Sequence, residues 1–490
     1  MRNINRGSIL GGQIPRLGKS AQGGSFAAGV FLALWCAVTG LSTIVFAPLN
    51  VELNVLVMLI LPFFLGLWLT SNFTDALLLV WMNEIFFGGN GHWLEFGPVS
   101  GRWLLLLILL VFGLAQRVRE GSVGLERPRF GKIIMFYGVW FPLWLVLYSA
   151  GALGNNFWKA IGDVNYLYTL LIYFPIRSFI SRKYLLFQGW LFGIIIIIAA
   201  LSLFLAFAPP ATGLPLFWAL AGENITGTTV SGITRASFLS QVLLFTGYFI
   251  GLFYLGDVSL ARKSRLAGAL LLCVSIAPIS LLFLRGPLIG LIMVMAFFVL
   301  VSLYNRTVKM AKWFVVIGSF FLLGTIVLYI RAIPEAIERF TLVDDDYTAY
   351  VSDSRVEQAG LMLELFLEKP ALGQGVGTPV IISGQERFDF ELQYNLLLYR
   401  IGLINMIVLV LPLGWFFMDL SFILRAKIKA IGQISTKIMI AVLLNLLVIL
   451  IAGAMNPYLL AVYTPFLIVI YLVHREFFLP QSGGFATVAK

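Results

Sequence analysis

Charge is scarce in this chain. Asp, Glu, Lys and Arg supply 12% of its 490 residues, whereas about 25% is usual for a soluble domain. Histidine is nearly absent: His92 and His474 lie in distant segments, so no zinc-ligand spacing exists. The two cysteines, Cys36 and Cys273, both fall inside apolar runs, which argues against a disulfide framework. There is no P-loop, no dinucleotide fingerprint and no metal-ligand set. The acidic run Asp344, Asp345 and Asp346 lacks the alternating oxygen spacing of a calcium loop. No metal and no cofactor is therefore expected.

What fills the chain instead is apolar. Hydrophobic residues make up 60% of it, above the usual range of about 45–50%. Runs such as 191-LFGIIIIIAALSLFLAF-207 and 287-PLIGLIMVMAFFVLVSL-303 carry no charge. Each is about 25 Å long as a helix, close to the thickness of a bilayer core. They are apolar on every face, which excludes the dyad alternation of a strand barrel. The expected fold class is all-α, a polytopic transmembrane helical bundle with a helical external loop subdomain. Apolar runs near 27–47, 54–70, 74–89, 103–116, 133–149, 164–179, 186–207, 237–255, 267–283, 287–304, 314–331, 393–417, 438–455 and 459–473 give about 14 spans.

The net charge of +11 suggests nucleic acid until its distribution is read. Half of the 34 Lys and Arg sit in five short stretches between apolar runs: 117–132, 177–183, 262–265, 306–312 and 425–429. These fall on one side when both termini are placed in the cytoplasm, the pattern of the positive-inside rule. No nucleic-acid partner is expected. The localisation that follows is a bacterial inner membrane, crossed many times. Residues 1–26 read as a disordered cytoplasmic tail with no cleavable signal, and 27–331 as transmembrane helices 1–11. Residues 332–392 read as an external loop subdomain, 393–473 as helices 12–14 and 474–490 as a cytoplasmic tail.

The loop at 332–392 is long for a connection inside a compact fold, which marks it as functional. Its segment 355-RVEQAGLMLELFLEK-369 has the Leu, Met and Phe content of a surface-lying helix. Pro370 and the turn 373-GQGVGT-378 follow. Arginines cluster on the outer side. Arg285 stands in 281-LLFLRGPLIG-290, with almost no loop between two apolar runs. An arginine there must be solvated or paired, so it is either a snorkelling interfacial charge or an anion ligand in a wet cavity. Arg235 closes the outer loop before the run at 237–255, and Arg355 opens the loop helix. Arg400 lies about two turns inside the run that starts near 393, where it needs a partner, either an ion-pair acid or an anionic ligand. Planar guanidinium groups bind phosphate oxygens in pairs, so the cluster suits a pyrophosphorylated lipid. Glu391, at the outer end of the same run, has the chemistry of a general base. Its plainer role is an acid favouring a helix N-terminus, and Asp389 competes for either role.

These pieces resemble the O-antigen ligase and polymerase superfamily of bacterial envelope glycan assembly. The likeness rests on the outer turn Arg285-Gly286 and on Arg355 followed by a helix, Pro370, Gly373, Gly375 and Gly377. It rests also on Glu391 followed eleven positions later by Gly402-Leu403. It covers roughly residues 230–420. In ligases of this family a histidine followed by Asn typically matches Glu391; here Glu-Leu stands there, which resembles the polymerase branch. The resemblance implies a metal-independent glycosyltransferase that joins undecaprenyl-pyrophosphate-linked oligosaccharides into O-antigen, capsule or exopolysaccharide. It implies Glu391 as catalytic base, with Arg285, Arg235, Arg355 and Arg400 on the donor pyrophosphate. Membrane lipid, a chain-length regulator and a flippase are the expected partners. An O-antigen ligase or protein O-oligosaccharyltransferase is the alternative within this class, and a lipid-linked oligosaccharide flippase the alternative outside it. Reporter fusions at residues 120, 180, 264, 308 and 428 are expected to read cytoplasm, and fusions near 220 and 360 the outer side. An inner signal at 360 overturns this topology.

Overall fold

A computed structural model describes residues 26–35, 37–38, 51–87, 95–96, 99–119, 128–207, 228–230, 233–235, 241–257, 260, 262–281, 285–304, 347–382, 385–387, 392–425, 434–453 and 463–478. Helices dominate these residues. The remainder includes three two-stranded antiparallel hairpins, which an all-α reading leaves out: Glu95–Phe96 with Val99–Ser100, Thr228–Val230 with Ile233–Arg235, and Val380–Ile382 with Gln385–Arg387.

Three helices are long and apolar enough to cross a membrane: Gly131–Ala152 (22 residues), Phe157–Phe204 (48 residues) and Gln393–Phe416 (24 residues). Each differs from a plain rod. The first contains two π-helical turns, Phe136–Trp140 and Tyr148–Ala152. The second begins at Phe157 because Asn156 caps it, its Oδ1 accepting from the backbone N–H groups of Trp158 (3.0 Å) and Lys159 (3.2 Å). That start lies before the apolar run at 164, so a stretch expected to be loop is helix. The same run breaks at Lys183 (φ −132°, ψ 41°). The rings of Phe179 and Phe187 then come to 6.4 Å, although eight residues of straight helix rise about 12 Å. The chain therefore turns sharply, at the basic segment 177–183 that separates the two apolar runs in the sequence.

The main core joins Phe73–Phe87, Tyr173–Phe207, Val242–Gly256, Ile434–Ala452 and Tyr463–Phe478, with Trp81, Trp190, Tyr248 and Phe466 wholly buried. Two smaller clusters lie beside it. One joins Phe141, Leu145, Val164, Val376 and Ile401. The other joins Met362, Val380, Leu396 and Tyr399, and fastens the helix Tyr347–Glu368 to the helix Gln393–Arg425.

The helix Gln393–Arg425 is broken at Gly402 (φ 72°, ψ 175°). In an unbroken helix the N–H groups of residues 403 and 404 bond the carbonyls of 399 and 400. Here Leu403 N–H donates to Pro370 O (2.9 Å) and Ile404 N–H to Ala371 O (3.0 Å). The released carbonyls of Tyr399 and Arg400 accept from Gln374 N–H and Gly375 N–H, both at 2.9 Å. The segment 370–375 thus fills the gap in the helix bond for bond. What reads as a flexible Gly-rich turn is a fixed insert. Both backbones are in close approach: a Cβ on Gly402 meets Gly373 N at 2.4 Å, and one on Gly373 (φ 76°) meets Arg400 O at 2.4 Å. Gly402→Ala is expected to lower stability by at least about 2 kcal/mol, from the left-handed backbone and this contact together. Gly414, where a Cβ meets nothing within 4 Å, is the control. Gly414→Ala should be neutral or stabilising by up to about 1 kcal/mol. Thermal unfolding of the purified protein followed by size-exclusion fluorescence measures both.

Candidate functional site

Behind the insert lies a buried ion pair. Asp163, on the helix Phe157–Tyr168, contacts Arg400 on the broken helix, Oδ2 to Nη1 at 2.9 Å. Arg400 is 6% exposed. A charge at that depth is costly unless matched and hydrogen-bonded. The same Asp163 Oδ2 accepts from the Gly377 N–H at 2.6 Å. One carboxylate therefore ties the guanidinium to the Gly-rich insert.

Two neighbours complete the cradle. Ser149, in the second π turn, accepts from the Val376 N–H at 2.8 Å and donates to Leu145 O at 2.6 Å. The Asn155 side-chain amide donates to Gln374 O and Val376 O at 3.2 Å and to Thr378 Oγ1 at 2.7 Å. On its other side the insert meets the loop helix, where Gln374 Nε2 donates to Leu365 O and to Glu368 Oε2, both at 2.9 Å. The loop that follows Arg355 in sequence is thereby bolted to three separate helical segments.

A small cavity of about 10 Å³, room for about one water, is lined by Asp163, Arg400, Val376 and Tyr166. Beyond it runs a larger cleft of about 180 Å³. Tyr166, Leu397 and Leu409 line both. The larger cleft is almost wholly apolar; Tyr394, Thr464 and Arg475 are among its few polar lining residues, the last near the end of the Tyr463–Phe478 helix.

Of the residues singled out in the sequence, Arg400 is the one whose side chain is described, and it meets the acid that its depth required. Arg285 is the first residue of the helix Arg285–Tyr304, directly after the helix Arg262–Leu281, as the near absence of a loop suggested. Arg235 ends the second strand of its hairpin, and Arg355 lies within the helix Tyr347–Glu368. The side chains of these three lie outside the described residues, as do Glu391 and Asp389 altogether. Glu391 precedes by two positions the helix start at Gln393, which is itself buried.

The sequence reading passed over Asp163, Asn155 and Ser149. A signal existed for the first. Asp163 is the only acid between Lys132 and Lys183, and a lone carboxylate among apolar residues demands a partner. No family model, curated protein or solved structure matches the chain.

The ion pair makes a separable prediction. Asp163→Asn leaves a buried guanidinium without its counter-charge and should cost about 3–5 kcal/mol, as should Arg400→Gln. The double variant Asp163→Asn/Arg400→Gln should recover most of that loss, because neither charge is then stranded. Additive losses in a thermal double-mutant cycle would show that the two residues act independently.

Proposed function

We propose that the chain is a membrane-embedded polymerase of lipid-linked glycan repeat units, spanning the bilayer about 14 times with both termini in the cytoplasm. The substrates are undecaprenyl-pyrophosphate-linked oligosaccharides. The products are O-antigen, capsule or exopolysaccharide chains extended on the periplasmic face. The observation that carries this reading is the insert 370–375, which closes the break at Gly402 and sets Asp163 against Arg400 in a cavity that shares its wall with an apolar cleft. An external loop so fixed to a span joins a water-facing reaction to a lipid-facing groove. An exposed stripe of Leu403, Ile407, Leu411, Trp415 and Met418 along one face of the same helix supports insertion, since a bilayer is the solvent that covers it.

In this reading Glu391 takes the proton of the acceptor hydroxyl. The freed oxygen attacks the anomeric carbon of the donor, and the bond from that carbon to the pyrophosphate oxygen breaks. Arg285, Arg235 and Arg355 hold the pyrophosphate and stabilise the charge that builds on it as it leaves. Arg400, engaged with Asp163, positions the loop that carries Arg355 and leads to Glu391. The activated donor supplies the driving force, so no nucleotide enters the reaction.

Glu391→Gln keeps size and hydrogen-bonding shape but cannot accept a proton. It is expected to slow polymerisation by about 10²–10⁴-fold at normal membrane level. Surface glycan should then collapse from a ladder to a single capped unit on a gel. Arg285→Lys should recover little of the loss seen in Arg285→Ala, because lysine lacks the paired donors of guanidinium. A normal ladder from Glu391→Gln moves the base elsewhere. Loss of all capped glycan with lipid-linked polymer retained assigns a ligase instead.

A further inference from the structure

The loop helix Tyr347–Glu368 ends against a helix long enough to span a membrane. Met362 is buried in the cluster that holds Leu396 and Tyr399, with Leu361 and Leu365 packed at its edge. Just past the helix, Pro370 O and Ala371 O accept from the N–H groups of Leu403 and Ile404. All four partners belong to Gln393–Phe416, which is long and apolar enough to cross a bilayer. The last turns of the loop helix are thus pinned at both ends to residues inside that stretch. Leu403 and Ile404 are themselves exposed apolar residues.

At about 100° per residue, the side chains round these turns sort into three sectors. Leu361, Met362, Leu365 and Phe366 are buried or half-buried. Glu364 and Glu368 are exposed, one turn apart. The third sector is apolar and bare: Leu363 is 54% exposed and Leu367 63%. Gly360 shares it, and a Cβ there meets nothing within 4 Å. An apolar sector beside an acidic one belongs to a helix with hydrocarbon on one side and water on the other. A second observation gives the level. Phe157 and Trp158 are both exposed at the start of their helix. They follow Asn155, whose amide bonds the insert at Gln374, Val376 and Thr378. Exposed aromatic residues at the end of a spanning helix mark the headgroup level of a bilayer.

We propose that residues 360–368 form a lipid-contact surface lying in the outer leaflet. Leu363 and Leu367 enter the acyl chains, and Glu364 and Glu368 face water. The contact is to hydrocarbon and so takes bilayer lipid whatever its headgroup. This rests on Gln393–Phe416 crossing the bilayer with its loop outside, as proposed above, and not on the glycosyl-transfer chemistry. In the polymerase reading it ties the depth of Arg355, about two turns earlier on the same helix, to the surface where a lipid-borne pyrophosphate lies.

The test uses the full chain with Cys36→Ala and Cys273→Ala, in phosphatidylcholine nanodiscs. Leu363→Cys, Leu367→Cys or Glu364→Cys carries an environment-sensitive nitrobenzoxadiazole dye. Ile407→Cys, on the exposed stripe of the span, is the in-lipid standard. Phosphatidylcholine with a nitroxide on its acyl chain is expected to quench the dye at 363 and 367 as it does at 407. Iodide in the water should quench it at 364 and not at 363 or 367. Quenching at 363 and 367 by iodide but not by nitroxide places the helix in water and overturns the proposal. Protection from both quenchers also overturns it, and a disulfide between two copies at 367 then assigns the face to self-association. The unmodified chain gives a second measurement should a labelled variant fail to fold. Phosphatidylcholine with an acyl-chain diazirine should label 360–368, and labelling of 403–411 without 360–368 overturns the proposal. The readout is lipid contact, so a normal glycan ladder from Glu391→Gln, which defeats the polymerase reading, leaves this result standing.

Discussion

A helix that breaks inside an apolar bundle strands its own backbone. With no water at hand, each unpaired N–H or carbonyl costs free energy comparable to a lost hydrogen bond, and in hydrocarbon several kcal/mol. At Gly402 four such groups are released, and the segment 370–375 satisfies all four. This exchange is the constraint on which the surrounding architecture depends. It fixes the segment 370–375 to the helix, brings the Gly377 N–H onto Asp163, and so determines where Arg400 finds its counter-charge. A loop held only by surface side chains would move with the solvent. One woven into a helix's hydrogen-bond ladder moves only when the helix does.

The same economy of charge recurs through the bundle. Glu84 is wholly buried, and Arg102 meets it with two bonds at 2.5 Å and 3.1 Å. Asp75 meets Arg182 at 2.6 Å, and Lys437 meets Asp257. The sequence separations are 18, 107 and 180 residues. Pairs of this kind contribute little net stability against a hydrophobic replacement, but losing one member is severe. Their consequence here is register. A helix carrying a buried carboxylate has few positions along its neighbour where that charge is met, so each pair pins one helix against another. The pair at Asp163 also bonds a loop, through the Gly377 N–H.

How much of this is legible in the sequence depends on the range of the interaction. Apolar runs report local chemistry, and the described helices fall largely where the runs do. The turn at Lys183 coincides with a basic segment for the same reason: charge leaves the apolar phase and the chain turns there. The helical start at Phe157 was hidden because its cap, Asn156, lies in a stretch whose polarity reads as loop. The π turns were hidden because winding errors of one residue leave composition unchanged. Gly402 was visible as a family-like Gly-Leu, and Arg400 was visibly in need of a partner. The identity of that partner was not. Asp163 lies more than two hundred positions away; its isolation among apolar residues marks it as needing a partner, but nothing along the chain says which.

The two cavities follow from the break as well. On a straight helix over 393–425, Leu397 and Leu409 would stand about 18 Å apart and about 120° round the axis from each other. The interruption at Gly402 shifts one half against the other, and both residues come to wall the small polar cavity and the large apolar cleft at once. Tyr166 is the third shared wall, one turn from Asp163 on the opposing helix. A ligand that changes the packing of Tyr166 from the apolar side must therefore press on the helix that carries the carboxylate, and through Gly377 on the insert. The physical route from the cleft wall to the insert is short: one side chain, one helical turn and one hydrogen bond. The broken helix gives a second route, since Leu397 and Leu409 wall the cleft while the Tyr399 and Arg400 carbonyls bond the insert directly.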